Sequence, residues 1–187
     1  MPDEAEVIPA FPGRSYVDTS ALAKWYLNEE QSDRVDEYLR SLPFAGISSL
    51  TLVEMRCLLA RRRRYAEITR EQELRCYALF RQDIQEGHLQ VEPLADGHIA
   101  SALLLMDRLP DHSLRTLDAL HLAVVEAAGF EVVATADRIM ANAAKALGVK
   151  VQGFFTIAEV GDRCAERRGR GPRVSSGGAG RGAARPR

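Results

Sequence analysis

Short runs of apolar residues alternate along this chain with longer segments in which apolar side chains recur every three or four positions. The short runs are typical of buried strands and the longer segments of amphipathic helices. The pattern predicts strands at residues 15–17, 44–48, 88–94, 131–135 and 149–154. It predicts helices at 21–27, 32–42, 50–64, 69–86, 96–108, 116–128 and 137–147. This alternation favours an α/β fold, a parallel sheet covered by helices on both faces.

Helix-start and helix-stop residues mark the same boundaries. Asp18 and two hydroxyl residues stand immediately before the first helix, in the positions where short polar side chains cap a helix N-terminus. Pro43 closes the second helix, and Gly87 and Gly129 close two later ones. The local signals therefore agree with the hydrophobic pattern.

Four acidic residues occupy positions from which such a fold can build a ligand site. Asp18 and Asp137 each follow the carboxyl end of a predicted strand, where open α/β sheets bind ligands. Asp118 lies in the first turn of its helix, and Glu54 projects from a largely apolar helix stripe. Hard oxygen ligands without a cluster of cysteines or histidines favour Mg²⁺ or Mn²⁺ over zinc.

Each acid also has a purely structural explanation. Asp18 can be a helix cap, and Asp118 and Asp137 can be first-turn partners of the helix dipole. Basic neighbours offer a second explanation. Arg56 or a helix N-terminus can neutralise Glu54, and Arg115 or Arg138 can neutralise Asp118 and Asp137. A shared cation explains all four acids together more economically than four separate pairings.

Charge is unevenly distributed along the chain. The 25 basic and 26 acidic residues nearly balance, but residues 167–187 contain seven arginines and no acid, which leaves the first 166 residues near −8. This Arg/Gly-rich tail is predicted to be disordered, either as a phosphate-binding arm or as a solvated extension. The run Arg61–Arg64 also has two interpretations: a solvated helix end, or a patch that attracts phosphate groups.

Several classes of protein are excluded by the sequence. The longest apolar runs are far shorter than the roughly 20 residues that span a bilayer, and the acidic start does not resemble a secretory signal, so we expect a cytoplasmic protein. The cysteines Cys57, Cys76 and Cys164 are widely spaced and predict no disulfide framework or zinc site. His121 is interpreted as a core histidine, because no nucleophile–histidine–acid arrangement is evident.

Four motifs in one order give the chain a family resemblance. They are residues 16–22 (YVDTSAL), 49–54 (SLTLVE), 117–123 (LDALHLA) and 134–137 (ATAD). Together they resemble the PIN-domain ribonucleases, and more narrowly the VapC toxins of toxin–antitoxin pairs. The resemblance extends over residues 15–156. It leaves an N-terminal extension at 1–14 and the Arg/Gly-rich tail at 157–187.

The resemblance implies a PIN-like sheet of five parallel strands and metal-dependent endonucleolytic cleavage of RNA. It implies that Asp18, Glu54, Asp118 and Asp137 are both the catalytic acids and the ligands of Mg²⁺ or Mn²⁺, with Thr19 and Thr135 as supporting hydroxyls. It also implies homodimerisation and a cognate antitoxin, VapB-like, that carries a DNA-binding domain.

Alternatives to the toxin interpretation stay open from the sequence. One is a stand-alone PIN nuclease, and another is a non-catalytic PIN-like module that binds RNA or protein. A phosphoacceptor or phosphatase also places an aspartate at a strand end, but this chain has no Asp-x-Asp motif and no evident lysine partner.

Overall fold

The computed structural model describes residues 13–156, and these contain five strands and seven helices. The strands are β1 (Ser15–Val17), β2 (Ala45–Ser48), β3 (Leu89–Glu92), β4 (Val132–Thr135) and β5 (Lys150–Gly153). The helices are α1 (Thr19–Tyr26), α2 (Ser32–Ser41), α3 (Ser49–Arg64), α4 (Arg70–Gln85), α5 (Asp96–Arg108), α6 (Thr116–Ala127) and α7 (Arg138–Ala146). Every predicted element is present, with ends shifted by a residue or two.

The five strands form one parallel sheet in the order β3-β2-β1-β4-β5. The central strand β1 pairs with β2 through Tyr16 and Gly46, and with β4 through Val17 and Ala134. The first strand, β1, lies in the middle of the sheet, with β2 and β3 on one side and β4 and β5 on the other. The direction of the strand order therefore reverses between β1 and β4. Open α/β sheets bind ligands at such a reversal, outside the carboxyl ends of the strands.

Two hydrophobic cores lie on opposite faces of the sheet. Val17 of β1 packs into the first core with buried residues of α1, α2, α3 and α4. Its neighbour Tyr16 packs into the second core with residues of α5, α6 and α7. Successive side chains of a strand point to opposite faces, so one strand contributes to both cores. The predicted α/β fold with helices on both faces is confirmed.

Local sequence explains where helices end. Gly87 follows α4 and Gly129 follows α6, with φ of 82° and 66°. These left-handed conformations are strained for residues that carry a Cβ atom, so glycine ends each helix and lets the chain turn towards the next strand.

The predicted Arg/Gly-rich tail and most of the predicted N-terminal extension lie outside the described residues. Within residues 13–156, no helix combines the length and apolar character that crossing a membrane requires.

Candidate active site

The four predicted acids line one pocket of about 600 Å³ at the carboxyl edge of the sheet. Asp18 follows β1, and Asp137 lies two residues beyond the neighbouring strand β4. Glu54 comes from α3, which starts directly after β2, and Asp118 comes from the first turn of α6. Residues separated by up to 119 positions therefore share one pocket because parallel strands end at the same edge.

Asp18 is held by hydroxyl groups on two elements. Its Oδ2 accepts hydrogen bonds from Ser20 Oγ at 2.5 Å, from Thr135 Oγ1 at 3.0 Å and from the Ser20 backbone N–H at 3.3 Å. The backbone bond makes Asp18 the N-cap of α1, so the structural explanation of this residue is confirmed. Capping occupies only one carboxylate oxygen, and the residue still lines the pocket.

Glu54 is held by a threonine and a histidine. Its Oε2 accepts from Thr19 Oγ1 at 2.5 Å and lies 2.8 Å from His121 Nε2. Burial alone would raise the pKa of Glu54, but the hydrogen bonds and charge of these partners bring it below its usual value. The alternative in which Arg56 neutralises Glu54 does not apply, because Arg56 pairs with Glu73 of α4.

Asp118 and Asp137 sit at the starts of two helices. Asp118 Oδ2 accepts from the Arg115 N–H at 3.0 Å. Asp137 caps α7 by accepting from the Ile139 N–H at 2.7 Å, and its Oδ2 lies 3.6 Å from Arg115 Nη1. Burial raises the pKa of Asp118, and the nearby charges of Asp137 and Asp18 raise it further. The charges of Asp137 and Asp18 therefore disfavour an ionised Asp118.

The carboxylate oxygens of the pocket fit a hard divalent cation. Within residues 13–156, no group donates a hydrogen bond to Oδ1 of Asp18, Oε1 of Glu54 or Oδ1 of Asp118. Three carboxylates thus each keep one uncommitted oxygen in a pocket that they share. Carboxylate oxygens are the ligands that Mg²⁺ and Mn²⁺ prefer.

A second group of possible metal-ligand atoms lies outside the acidic pocket, and its atoms are closer together. Among the described residues, Asp83, Glu86 and His88 form the group whose ligand atoms all lie within 4.8 Å of one another. They sit at the end of α4, and none of them lines the acidic pocket. Asp83 also accepts a hydrogen bond from Tyr26 Oη at 2.6 Å, which gives it a structural role between α1 and α4.

The sequence interpretation missed two residues of the site. Ser20 Oγ bonds Asp18 and also accepts from the Ala136 N–H at 2.9 Å, so it joins α1 to the loop after β4. His121 is 1% exposed and, as expected for a core histidine, it is hydrogen-bonded, but its partner Glu54 is a residue of the pocket. The available signal was its i+3 spacing from Asp118, which places both on one helix face.

The four-arginine run at the end of α3 divides into two pairs with different surroundings. Arg61 and Arg64 line the acidic pocket, together with Arg115. Arg62 pairs with Glu29 and Glu67, and Arg63 pairs with Glu73. Positions three and four apart share a helix face, which explains why only the outer two arginines reach the pocket.

Comparisons with known proteins identify the family of this chain. Residues 15–146 match the PIN domain family. Ribonuclease VapC46 of Mycobacterium tuberculosis is 34% identical over 139 residues, which are 73% of this chain and 94% of the relative. The chain therefore belongs to the PIN-domain family, and its relatives there include VapC ribonucleases.

Two solved structures share the fold. VapC20 of Mycobacterium tuberculosis, a toxin that cleaves the sarcin-ricin loop, superposes with a TM-score of 0.56 at 20% identity, covering 69% of this chain and 94% of that one. VapBC2 of Rickettsia felis, bound to a DNA fragment from its promoter, superposes with a TM-score of 0.53 at 14% identity, covering 75% of this chain and 98% of that one.

Proposed function

We propose that this chain is the toxin of a toxin–antitoxin pair and a Mg²⁺- or Mn²⁺-dependent endoribonuclease of the cytoplasm. The observation that carries the proposal is the single pocket lined by four acids, in a chain 34% identical to a VapC ribonuclease. Three of these acids keep an oxygen that no other described residue engages.

The proposed metal ligands are Asp18 and Asp118, with Glu54 and Asp137 binding directly or through water. A divalent cation there would lower the pKa of a bound water and neutralise charge on the scissile phosphate. The protein's own contribution is orientation: hydroxyl groups fix Asp18, and the backbone N–H groups of α7 fix Asp137. This mechanism requires no protein nucleophile. With the 3′ oxygen as the leaving group, as the family resemblance suggests, it gives 5′-phosphate and 3′-hydroxyl ends.

Basic residues beside the acids supply the attraction for RNA. Arg61 and Arg64 border the pocket on the α3 side, and Arg115 lies beside Asp118 and Asp137. Four carboxylates repel a polyphosphate, so guanidinium groups next to them are needed to hold the backbone. VapC20 is described as a toxin that cleaves the sarcin-ricin loop, and we propose a folded RNA as the substrate class here too.

A cognate antitoxin with a DNA-binding domain is the proposed partner. Residues 1–166 carry a net charge near −8, which favours a basic partner segment. We expect that segment to lie along the helices of residues 20–64 and to place an arginine or lysine among the four acids. The VapBC2 complex of Rickettsia felis was solved on promoter DNA. A homodimer is part of the same proposal.

Metal dependence is tested by cleavage of RNA with added Mg²⁺ or Mn²⁺ and with EDTA. We expect cleavage only with metal, and mapping of RNA ends after expression should give discrete sites. Cleavage that persists undiminished in EDTA would overturn the metal mechanism. A protein that binds RNA and never cleaves it with either metal would instead be a non-catalytic PIN-like module.

The toxin assignment is tested separately, by co-expression with the product of the adjacent reading frame. We expect a co-purifying complex whose cleavage activity is far below that of the free chain. No association, or a complex as active as the free chain, would leave a stand-alone PIN nuclease as the better description.

A further inference from the structure

His121 connects a pocket acid to the interior of the protein. It lies in α6, 1% exposed, and its two ring nitrogens face different groups. Nε2 lies 2.8 Å from Glu54 Oε2. On the other side of the ring, Nδ1 lies 2.5 Å from Tyr16 Oη and 3.3 Å from Ser48 Oγ. The ring therefore bridges α3 and the central strand β1.

The chemistry of Glu54 requires a hydrogen on the ring nitrogen that faces it, because an ionised carboxylate only accepts hydrogen bonds. Tyr16 is fully buried and lies on the other side of the ring, where its hydroxyl can donate to Nδ1 or accept from it. When the imidazole is neutral, Tyr16 donates to Nδ1 and the ring hydrogen is on Nε2. When the imidazole is charged, both nitrogens carry hydrogens. In either state Nε2–H donates to Glu54.

Glu54 consequently has one engaged and one free oxygen. Thr19 Oγ1 and His121 Nε2 both donate to Oε2, whereas no described residue donates to Oε1. Two donors on one oxygen fix the torsions of a side chain that would otherwise sample several rotamers. A carboxylate held in this way is preorganised to offer its other oxygen to a metal ion.

We propose that His121 is the positioning residue of Glu54: backed by Tyr16, it fixes Oε2 so that Oε1 is presented to the cation. This inference rests on the proposed metal site. His121 does not itself touch metal or RNA in this arrangement, and its effect passes through Glu54 alone.

The test compares two amide substitutions in the full chain. In His121→Gln the amide nitrogen takes the approximate place of Nε2 and can still donate to Glu54. In His121→Asn the shorter amide takes the place of Nδ1, faces Tyr16 and no longer reaches Glu54. Both remove the aromatic ring from the core, and the two variants differ from each other by one methylene group.

The primary readout is Mn²⁺ affinity, measured by electron paramagnetic resonance or calorimetry in the absence of RNA. We expect His121→Asn to weaken Mn²⁺ binding by about tenfold, the lower end of the effect of removing a partner of a metal ligand, and His121→Gln to bind Mn²⁺ nearly as the wild type does. Equal weakening in both variants would show a packing role only and would overturn the inference.

A Glu54→Gln background adds a second test. Since His121 acts through Glu54, His121→Asn should cause no further loss of Mn²⁺ affinity in Glu54→Gln. The same loss in both backgrounds would contradict the inference.

A further measurement needs no His121 variant, and it covers the case in which His121→Asn does not fold. The ring ¹⁵N resonances of His121 should shift on Mg²⁺ addition in the wild type and stay unchanged in Glu54→Gln. A wild-type ring that is insensitive to bound Mg²⁺ would refute the positioning role. Wild-type protein that binds no Mn²⁺ would instead refute the proposed metal site, which is a distinguishable result.

Discussion

Ser20 Oγ lies 3.2 Å from Thr135 Oγ1, and both hydroxyls are hydrogen-bonded to the same oxygen of Asp18. Ser20 belongs to the first turn of α1 and Thr135 is the last residue of β4, so 115 positions of chain separate them. The two hydroxyls therefore connect the first turn of α1 to the carboxyl end of β4. Together they set the direction in which Asp18 offers its other oxygen.

Ser20→Ala should loosen Asp18 without removing a proposed metal ligand. Its hydroxyl also accepts from the Ala136 N–H, so the substitution additionally leaves that donor unpaired. We expect Mn²⁺ affinity to fall by about tenfold, as is usual when a partner of a metal ligand is lost. Ser41→Ala, which removes a hydroxyl bonded to the Tyr38 carbonyl at the end of α2, is the control. Unchanged Mn²⁺ affinity in Ser20→Ala would refute this role.

Asp118→Asn should abolish cleavage while sparing the fold. We expect activity to fall at least about a hundredfold, because a proposed metal ligand loses its charge. Thermal stability should stay level or rise, because burial and the charges of Asp137 and Asp18 already disfavour an ionised Asp118 and hold its pKa above the usual value.

The matched control for Asp118→Asn is Asp96→Asn, since Asp96 is an exposed acid in the first turn of α5. Cleavage assays and thermal melts of both variants measure the activity and the stability. An active Asp118→Asn enzyme would require the site to be reassigned.

The arginine run offers an internal comparison between RNA binding and stability. The double substitution Arg61→Ala and Arg64→Ala should raise KM for RNA by about tenfold and reduce the salt dependence of binding, because phosphate contacts release counterions. Its melting temperature should be close to that of the wild type, since the described residues provide no salt-bridge partner for either guanidinium.

The double substitution Arg62→Ala and Arg63→Ala should have the opposite profile. It removes the partner of Glu67 and one of the two partners of Glu29 and of Glu73, so we expect a lower melting temperature and a KM near the wild-type value. Filter binding across a salt series and thermal melts measure both pairs. Equal KM changes in the two variants would contradict the division of the run.

Glu73 should make the α3–α4 contact sensitive to acid. Its side chain is 5% exposed and pairs with Arg56 and Arg63, whose hydrogen bonds hold the pKa of Glu73 below its usual value. An acid with a lowered pKa in the folded state stabilises the fold above its unfolded pKa, about 4.3, and that contribution is lost as the pH falls through the folded pKa.

Glu73→Gln should therefore lower the melting temperature by a few degrees at pH 7, and the difference from the wild type should vanish in acid below that range. Thermal melts across a pH series measure this. The exposed Glu71, in the same first turn of α4, gives the control substitution Glu71→Gln. A deficit that persisted unchanged at low pH would point to lost packing instead of lost charge.

The sequence by itself determined the order of the elements, the fold class and the identity of the four acids. Strand and helix periodicities differ, and glycines such as Gly129 end helices by a local mechanism, so these features depend only on near neighbours. The positions of Asp18 and Asp137 after strands were sufficient to predict one shared edge, because parallel strands end together.

Tertiary structure alone decided the partners of those acids. Arg62 and Arg64 belong to the same run of arginines, and only the positions of the α1–α2 and α3–α4 connections show which of them pairs with an acid. Likewise, His121 is an ordinary core histidine in sequence, and its contact with Glu54 requires α3 and α6 to meet beside β1. Hydrogen bonds between residues 67 positions apart depend on the packing of whole elements, which periodicity and spacing do not encode.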